Sequence, residues 1–223
     1  MTIMHRVRGA RFPSTLRRHR GVDMIQRMIG AAFFNRETYE EIEADQGALG
    51  QAIGVVLLVT LCGIVGGIIG GFFEGEAVGL GILLGIISGF VFGVVRWAIW
   101  VSVMYLVGGK MLRTGDTETS WSEVGRVVGF AYSPGVLSLF TFVPVVGGLF
   151  WLVGVVWQVA AVVVAVRQAM DFQSTGRAIG VVLLSAVIAV IPLIIVAAIQ
   201  LAIFGGPEEP AVESAVRTIF AMV

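Results

Sequence analysis

The sequence has very little of the side-chain chemistry that most enzymes use. It contains one cysteine, Cys62, so no disulfide can form within the chain, and its two histidines, His5 and His19, both lie near the N-terminus. No histidine therefore remains in the body of the chain for a metal site or a catalytic relay. The sequence also has no phosphate-binding loop, no metal-ligand spacing and no nucleophile–base pair. We expect a protein that is not an enzyme and that binds no cofactor and no metal ion.

Charged residues are scarce as well. They make up 13% of the chain, whereas 57% of the residues are hydrophobic and the mean hydropathy is +0.93. Soluble domains average about 25% charged residues and roughly 45–50% apolar ones. The composition therefore predicts one multi-span membrane domain with short flanks. Its expected partner is the lipid bilayer, and no nucleic acid is expected.

Five apolar stretches are long enough to cross a bilayer, which takes about 20 residues in a helix. Proline interrupts two of them, at Pro134 and Pro192, and removes a backbone hydrogen bond at each place. The sequence predicts an all-α membrane protein whose membrane domain covers 47–204, with five transmembrane helices at about 47–73, 77–109, 124–143, 145–166 and 178–204.

The segments outside the spans differ in charge. Residues 1–23 form a basic, flexible flank rich in arginine, for which we expect contact with anionic lipid. Its composition also resembles that of a transit peptide, and another interpretation is that translation begins at Met24. Residues 24–46 predict two cytoplasmic helices: an amphipathic one, Met24 to Phe34, lying in the membrane interface, and an acidic one capped by Asn35. Residues 205–223 form an acidic tail.

Lysine and arginine are distributed unevenly between the two sides of the predicted spans. Thirteen of the fifteen lie before the first span or in the loops after the second and fourth spans. Such residues concentrate on the cytoplasmic side of membrane proteins. The distribution predicts a cytoplasmic N-terminus and an outside C-terminus.

A regular series of glycines marks the first two spans. Residues four apart share one face of a helix, and glycine faces allow two helices to approach closely in lipid. We expect the two spans to form a hairpin whose glycine faces meet. Bulky substitutions at these positions, Gly67→Leu or Gly85→Leu for example, are expected to break assembly. The series in the first span is Gly63, Gly67, Gly71 and Gly75, and the series in the second span is Gly81, Gly85, Gly89 and Gly93.

Arg96 is the one charge that the sequence places deep in a span. It lies fourteen residues before Lys110, which is roughly 21 Å along a helix. An intramembrane arginine is a candidate functional residue, although it also serves to anchor a helix at the headgroups. Because no acidic residue lies deep in a span, Gln158 and Gln200 are its expected polar partners. Together these three residues form a candidate intramembrane polar site.

Several short motifs, in a fixed order, resemble the Yip domain family. The first is Met24-Ile25-Gln26-Arg27-Met28-Ile29-Gly30, which is similar to the start of prokaryotic members. The others are Trp121-Ser122-Glu123-Val124, Gly129-Phe130-Ala131-Tyr132-Ser133-Pro134, Val143-Pro144-Val145-Val146-Gly147, Trp157, Ala165-Val166-Arg167-Gln168-Ala169 and Thr175-Gly176-Arg177-Ala178. The resemblance implies a five-span fold, with structural roles for Tyr132, Pro134, Pro144, Gly147, Arg167 and Arg177.

Eukaryotic members of that family are linked to small Rab/Ypt GTPases and to vesicle traffic between the endoplasmic reticulum and the Golgi. This chain lacks their acidic Asp-Leu-Tyr-Gly-Pro-type motif, so GTPase binding does not carry over to it. The resemblance instead implies a member from the prokaryotic branch, located in a bacterial or archaeal plasma membrane.

Three functional hypotheses follow from the sequence. The first is a non-enzymatic protein that organises the membrane or acts as a partner-binding adaptor. The second is a small transporter or channel with Arg96 at a polar site. The third is an accessory subunit of a larger membrane complex, in which the glycine faces bind another membrane protein or a second copy of the chain.

Overall fold

The computed structural model describes residues 20–74, 80–113 and 119–204, and these residues form helices joined by short turns. No strand occurs in these three ranges. Most of the predicted basic flank and all of the predicted acidic tail lie outside the described residues. In chain order the helices are α1 (Arg20–Ala32), α2 (Arg36–Ala44), α3 (Ala48–Glu74), α4 (Leu80–Met104), a π-helical turn (Tyr105–Met111), α5 (Trp121–Ala131), a 3-10 helix (Ser133–Phe142), α6 (Gly147–Ala169) and α7 (Thr175–Phe204).

Four helices of the described chain are long and apolar enough to cross a membrane. They correspond to the first, second, fourth and fifth predicted spans, and their bounds lie within a few residues of the predicted ones when α4 is taken together with the π-helical turn. The spanning stretches are Ala48–Phe73, Leu83–Met111, Gly147–Ala169 and Thr175–Phe204.

The third predicted span, 124–143, is not a single helix, so the prediction of five continuous spans is not confirmed. The chain forms α5 and then changes at Tyr132 to a 3-10 helix, whose backbone bonds join residues three apart. Pro134 is the physical reason, because it has no N–H and its ring clashes with the carbonyl four residues earlier. That carbonyl, of Phe130, accepts a hydrogen bond from the Ser133 hydroxyl at 2.6 Å.

The broken segment α5–3-10 runs alongside α3 and in the same direction. A methyl group added to Gly129 would lie 2.7 Å from Cβ of Ala52, and one added to Gly135 would lie 2.6 Å from a methyl of Val59. Farther along, a methyl on Gly66 would meet the carbonyl oxygen of Ser138. From Ala52 to Gly66 the broken segment therefore follows α3 for about 21 Å, at 1.5 Å per residue.

The most deeply buried side chains gather at one end of the bundle. We call it the capped end, because α1 and α2 pack there against α5 and α6. At the opposite end the helices expose large apolar side chains, as lipid-facing surfaces do. Fully buried residues at the capped end include Tyr39, Ile42, Val55, Trp97, Met104, Val124, Phe130 and Met170; exposed ones at the opposite end include Phe72, Phe73, Leu149 and Ile203.

The π-helical turn ends the second span at the capped end. Gly108 is buried within it, and a methyl group there would overlap the side chain of Met170 and lie 3.0 Å from Val181 on α7. Only a residue without a side chain lets the chain pass this close to α7. The neighbouring Lys110 lies over the Tyr105 ring, 5.3 Å from its centroid, which is within reach of a cation–π contact.

Candidate functional site

A cavity of about 380 Å³ lies between α3, α4, α6 and the junction of α5 with the 3-10 helix. On α3 its lining runs from Val56 to Ile64, about 12 to 24 Å from the start of a helix that is about 40 Å long. The cavity is therefore near the middle of the spanning helices. Four glycines contribute to its walls and leave space that side chains would otherwise fill: Gly63, Gly93, Gly135 and Gly154.

Arg96 projects from α4 to this cavity and is bound to α7. Its Nη1 donates a hydrogen bond of 2.9 Å to Oε1 of Gln200. Gln158, on α6, lines the same cavity, and a methyl group on Gly135 would lie 2.8 Å from its amide oxygen. The structure thus brings the three residues of the predicted polar site into one region, although Gln200 is not part of the cavity lining.

The polar groups around the cavity include several hydrogen-bond donors. Among the described lining residues there is no aspartate or glutamate to balance the guanidinium of Arg96. The indole Nε1 of Trp97 and the hydroxyl of Ser138 are buried and have no hydrogen-bond partner among the described residues. The Thr60 hydroxyl, by contrast, donates to the carbonyl of Val56 at 2.8 Å. An oxygen-rich, negatively charged group would complement this arrangement.

The two glycine series do not face each other as predicted. Methyl groups on Gly89 and Gly93 would meet the side chains of Ile64 and Thr60 on α3, at 2.8 Å in both cases. A methyl on Gly63 would instead lie 3.5 Å from Ser138, so this glycine faces the 3-10 helix. The physical reason is that α3 turns its smallest side chains toward the broken segment rather than toward α4.

The remaining glycines of the two series make no described contact between α3 and α4. Methyl groups on Gly67 and Gly85 would meet no atom within 4 Å, so both positions are open. Gly71 is half-buried near the end of α3. Gly75 lies outside the described residues, and the surroundings of Gly81 are not described.

The family-motif residues hold turns and loops. Tyr132 and Pro134 lie at the change from α5 to the 3-10 helix, Pro144 lies in the turn before α6, and Gly147 is the first residue of α6. Gly147 donates its N–H to the carbonyl of Val143 at 2.7 Å, and a methyl group there would overlap the backbone of Thr141.

Two arginines of the motif fasten the chain at the capped end. Arg167 donates to the carbonyls of Phe172 and Gln173, both at 3.2 Å, and to the hydroxyl of Thr175 at 3.0 Å. Arg177 donates to the carbonyl of Leu112 at 3.1 Å and lies over the Phe172 ring. The resemblance implied structural roles for these two arginines, and each of them makes contacts that join separate parts of the chain.

Polar contacts of the nearly buried Arg27 and of Trp157 fix α1 and α2 onto the bundle. Arg27 is almost buried and donates to Glu41 at 2.9 Å and to Gln51 at 2.9 Å, with Asp45 at 2.8 Å. Burial is the largest single influence on the pKa of Arg27 and lowers it, but the hydrogen bonds that Arg27 donates to Glu41 and Asp45, together with their negative charges, raise this pKa overall. Trp157 of α6 donates its indole N–H to the carbonyl of Ala32 at 2.7 Å.

Arg126 and Tyr39 continue this network, and sequence reasoning missed both as functional candidates. Arg126 is 4% exposed and donates to the backbone carbonyl of Glu43 and to the hydroxyl of Ser122. Tyr39 is buried, and its hydroxyl lies 2.9 Å from the carbonyl of Ala31 and 3.2 Å from that of Ala161. The signal in the sequence was a single arginine placed inside an apolar helix, at Arg126.

Acidic residues crowd around Glu43 at the same end. Burial is the largest cause that raises the pKa of this carboxyl, to about 7, and the nearby carboxylates of Asp171, Glu123 and Glu40 act in the same direction. Arg126 opposes them. Glu43 therefore titrates near neutral pH.

One face of α1, continued by the residue that follows the helix, carries apolar side chains that are largely exposed in the described chain. Ile25, Ile29 and Phe33 recur every four residues and are 57%, 55% and 68% exposed. The opposite face, with Arg27 and Ala31, packs on the bundle. We call the three exposed side chains the apolar stripe. It continues the lipid-facing surface of α6, because the ring of Phe33 lies 5.7 Å from that of Trp157.

Comparison with known proteins agrees with an all-helical membrane protein. The family model for the Yip1 domain matches residues 29–202, from α1 almost to the end of α7. No curated protein and no solved structure matches the chain.

Proposed function

The chain belongs to the Yip1 domain family, and on this basis we propose that it is a non-enzymatic, multi-pass membrane protein that organises one leaflet of its membrane and serves as a partner-binding adaptor. The single observation that supports this role is the apolar stripe on α1. It lies in the half of the bundle that includes the capped end, on a helix that polar contacts hold in place.

Insertion of the apolar stripe into a leaflet is energetically plausible. Full burial of an isoleucine or phenylalanine side chain contributes about 1.5–3 kcal/mol. The three side chains are each a little over half exposed, so their transfer into lipid would contribute about 3–5 kcal/mol in total. Because α1 is fixed to the spans, this insertion would displace lipid in one leaflet and not in the other.

We propose that the broken segment also crosses the bilayer, which gives five crossings. Its parallel course along α3 supports this, as does the greater rise of a 3-10 helix, about 2.0 Å per residue. The capped end would then be cytoplasmic and the C-terminus outside. This end carries Arg27, Arg36, Lys110, Arg113, Arg126, Arg167 and Arg177, in accord with the positive-inside tendency. A bacterial or archaeal plasma membrane is the proposed location.

The test replaces the apolar stripe in two matched ways. One variant carries Ile25→Ser, Ile29→Ser and Phe33→Ser, and its control carries leucine at the same three positions. Each protein is reconstituted into vesicles at a fixed protein-to-lipid ratio, and vesicle diameters are measured by cryo-electron microscopy. We expect the wild type and the leucine control to shift the vesicles to smaller diameters, and the serine variant to lose this effect.

Equal thermal unfolding midpoints in detergent would show that all three proteins are folded. If the folded serine variant reshapes vesicles as the wild type does, the apolar stripe does not act on the membrane and the proposal fails. In native nanodiscs, a protein that copurifies with the wild type and contacts the capped end would support the adaptor part of the proposal.

The cavity favours a second candidate function, a small transporter or channel. Its support is the combination of about 380 Å³ of space, a mid-span position and the guanidinium of Arg96. The third hypothesis, an accessory subunit, is supported by the open surfaces at Gly67 and Gly85, where another helix could approach closely.

A further inference from the structure

The cavity beside Arg96 has a specific chemical character. We propose that it binds the oxyanion of an amphiphile, a phosphate or carboxylate group attached to an apolar chain. This inference goes beyond membrane organisation and does not depend on it, because no residue of α1 lines the cavity. It concerns binding and does not require that the ligand be transported.

The first argument is uncompensated positive charge. A cation in apolar surroundings is normally paired with an acid, and the partly buried Arg96 has none among the described lining residues. Its side chain makes one hydrogen bond within the described chain, to Gln200, although a guanidinium carries five N–H donors. A phosphate or carboxylate matches the planar guanidinium with two parallel hydrogen bonds.

The second argument is a pair of polar groups without partners. Trp97 is 2% exposed, and among the described residues neither its indole N–H nor the buried hydroxyl of Ser138 has a hydrogen-bond partner. Both residues line the cavity, Trp97 on α4 and Ser138 on the 3-10 helix. Leaving a buried polar group unpaired is costly, so a ligand oxygen that reached either group would gain a hydrogen bond at little cost to the protein.

The third argument concerns the rest of the wall. Val59, Ile64 and Val155 line the same cavity and offer an apolar surface. Inorganic phosphate or acetate would leave this surface without a partner, whereas an acyl chain would cover it. The cavity also lies near mid-span, so a ligand with its own apolar chain reaches it from the bilayer at lower cost than a hydrated anion.

The binding test uses four probes on the full chain in detergent. They are oleic acid, dioleoyl phosphatidic acid, oleyl alcohol, which has the same chain without the anion, and inorganic phosphate. Native mass spectrometry measures the bound fraction of each. We expect oleic acid or phosphatidic acid to bind at least about tenfold more tightly than oleyl alcohol, in line with charge-assisted hydrogen bonds.

Two variants and one control assign the binding to the cavity. Arg96→Gln is expected to weaken oxyanion binding by about 10- to 100-fold, and Arg113→Gln, a change of an exposed arginine at the capped end, is expected to leave it unchanged. Ser138→Ala keeps Arg96 and removes a hydroxyl that has no partner, so the unliganded fold should not lose stability. Ser138→Ala is expected to weaken oxyanion binding severalfold. If Arg96→Gln does not fold, this variant alone tests whether the oxyanion binds in the cavity.

The outcomes separate the possible ligands. Phosphate binding as tight as that of phosphatidic acid, and sensitive to Arg96→Gln, would support the oxyanion site and identify a soluble anion as its ligand. Equal binding of oleyl alcohol and oleic acid would overturn the proposal, since the cavity would then hold only an apolar chain. Binding that neither variant weakens would overturn it as well. Loss of vesicle reshaping in the serine variant of the apolar stripe leaves this result unaffected.

Discussion

Two adjacent glycines of α3 provide a sharp test of how the helices pack. A methyl group on Gly66 would lie 2.5 Å from the carbonyl oxygen of Ser138, 2.9 Å from the hydroxyl of Thr141 and 3.0 Å from the carbonyl oxygen of Leu139. A methyl group on Gly67 would meet no atom within 4 Å. The same substitution, glycine to alanine, therefore has opposite consequences at neighbouring positions.

The magnitudes follow from packing and helix propensity. At Gly66 two of the opposing atoms belong to backbone, which moves less easily than a flexible side chain, so Gly66→Ala is expected to cost about 1–3 kcal/mol. At Gly67 alanine fills empty space and favours the helix, a gain of up to about 1 kcal/mol. The two variants should therefore differ by about 1–4 kcal/mol. For a chain of this size that is roughly 2–15 °C in the unfolding midpoint.

The assay is thermal unfolding of the two purified variants in the same detergent, followed by circular dichroism, with the wild type beside them. We expect the midpoint of Gly66→Ala to fall and that of Gly67→Ala to stay level or rise. Equal midpoints for the two variants would refute the described contact between α3 and the 3-10 helix. A fall for Gly67→Ala alone would restore the hypothesis that the spacing-four glycine series is the packing face.

Two further predictions concern charge. Burial raises the pKa of Glu43 to about 7, so the folded state disfavours its ionised form. The contribution of Glu43 to stability should therefore be largest at acidic pH and decline as the pH rises from about 4.5 to 7. Glu43→Gln should remove that decline and raise the unfolding midpoint at pH 8. The control Glu37→Gln, at an exposed site, should keep the pH profile of the wild type. Identical pH profiles for the two variants would contradict this account. If the chain transports small solutes, Arg96→Ala should leave the bundle folded and abolish flux into proteoliposomes, and unchanged flux would eliminate the transporter hypothesis.

The long helices could be predicted because lipid imposes a simple requirement on sequence. A crossing helix needs about 20 apolar residues, and α3, α4, α6 and α7 each contain such a run. The same rule did not predict the change of helix type within 124–143, where the composition is apolar but Pro134 and local 3-10 bonding break the α-helix. Hydropathy measures the transfer of side chains into lipid and does not determine which backbone hydrogen bonds form.

The candidate site was predictable only in part. Arg96 stood out because a charge in an apolar run is costly, and glutamines in other spans were its natural partners. Gln200, which it contacts, lies 104 residues farther along the chain. The orphaned donors of Trp97 and Ser138 could not be found from sequence, because satisfaction of a hydrogen bond depends on neighbours from other helices. For the same reason, glycine spacing shows that a face is small but not which element fills it.

The uneven burial along the helices has a consequence for motion. Segments with few buried contacts open locally at small free-energy cost, whereas well-packed segments open only when the whole domain unfolds. We therefore expect backbone amides near Tyr39, Trp97 and Phe130 to exchange with deuterium far more slowly than those near Phe73 or Leu149. The cavity lies between these two kinds of segment. We expect the outer halves of the helices to separate more readily than the capped end, which would open a route to the cavity without unfolding the domain.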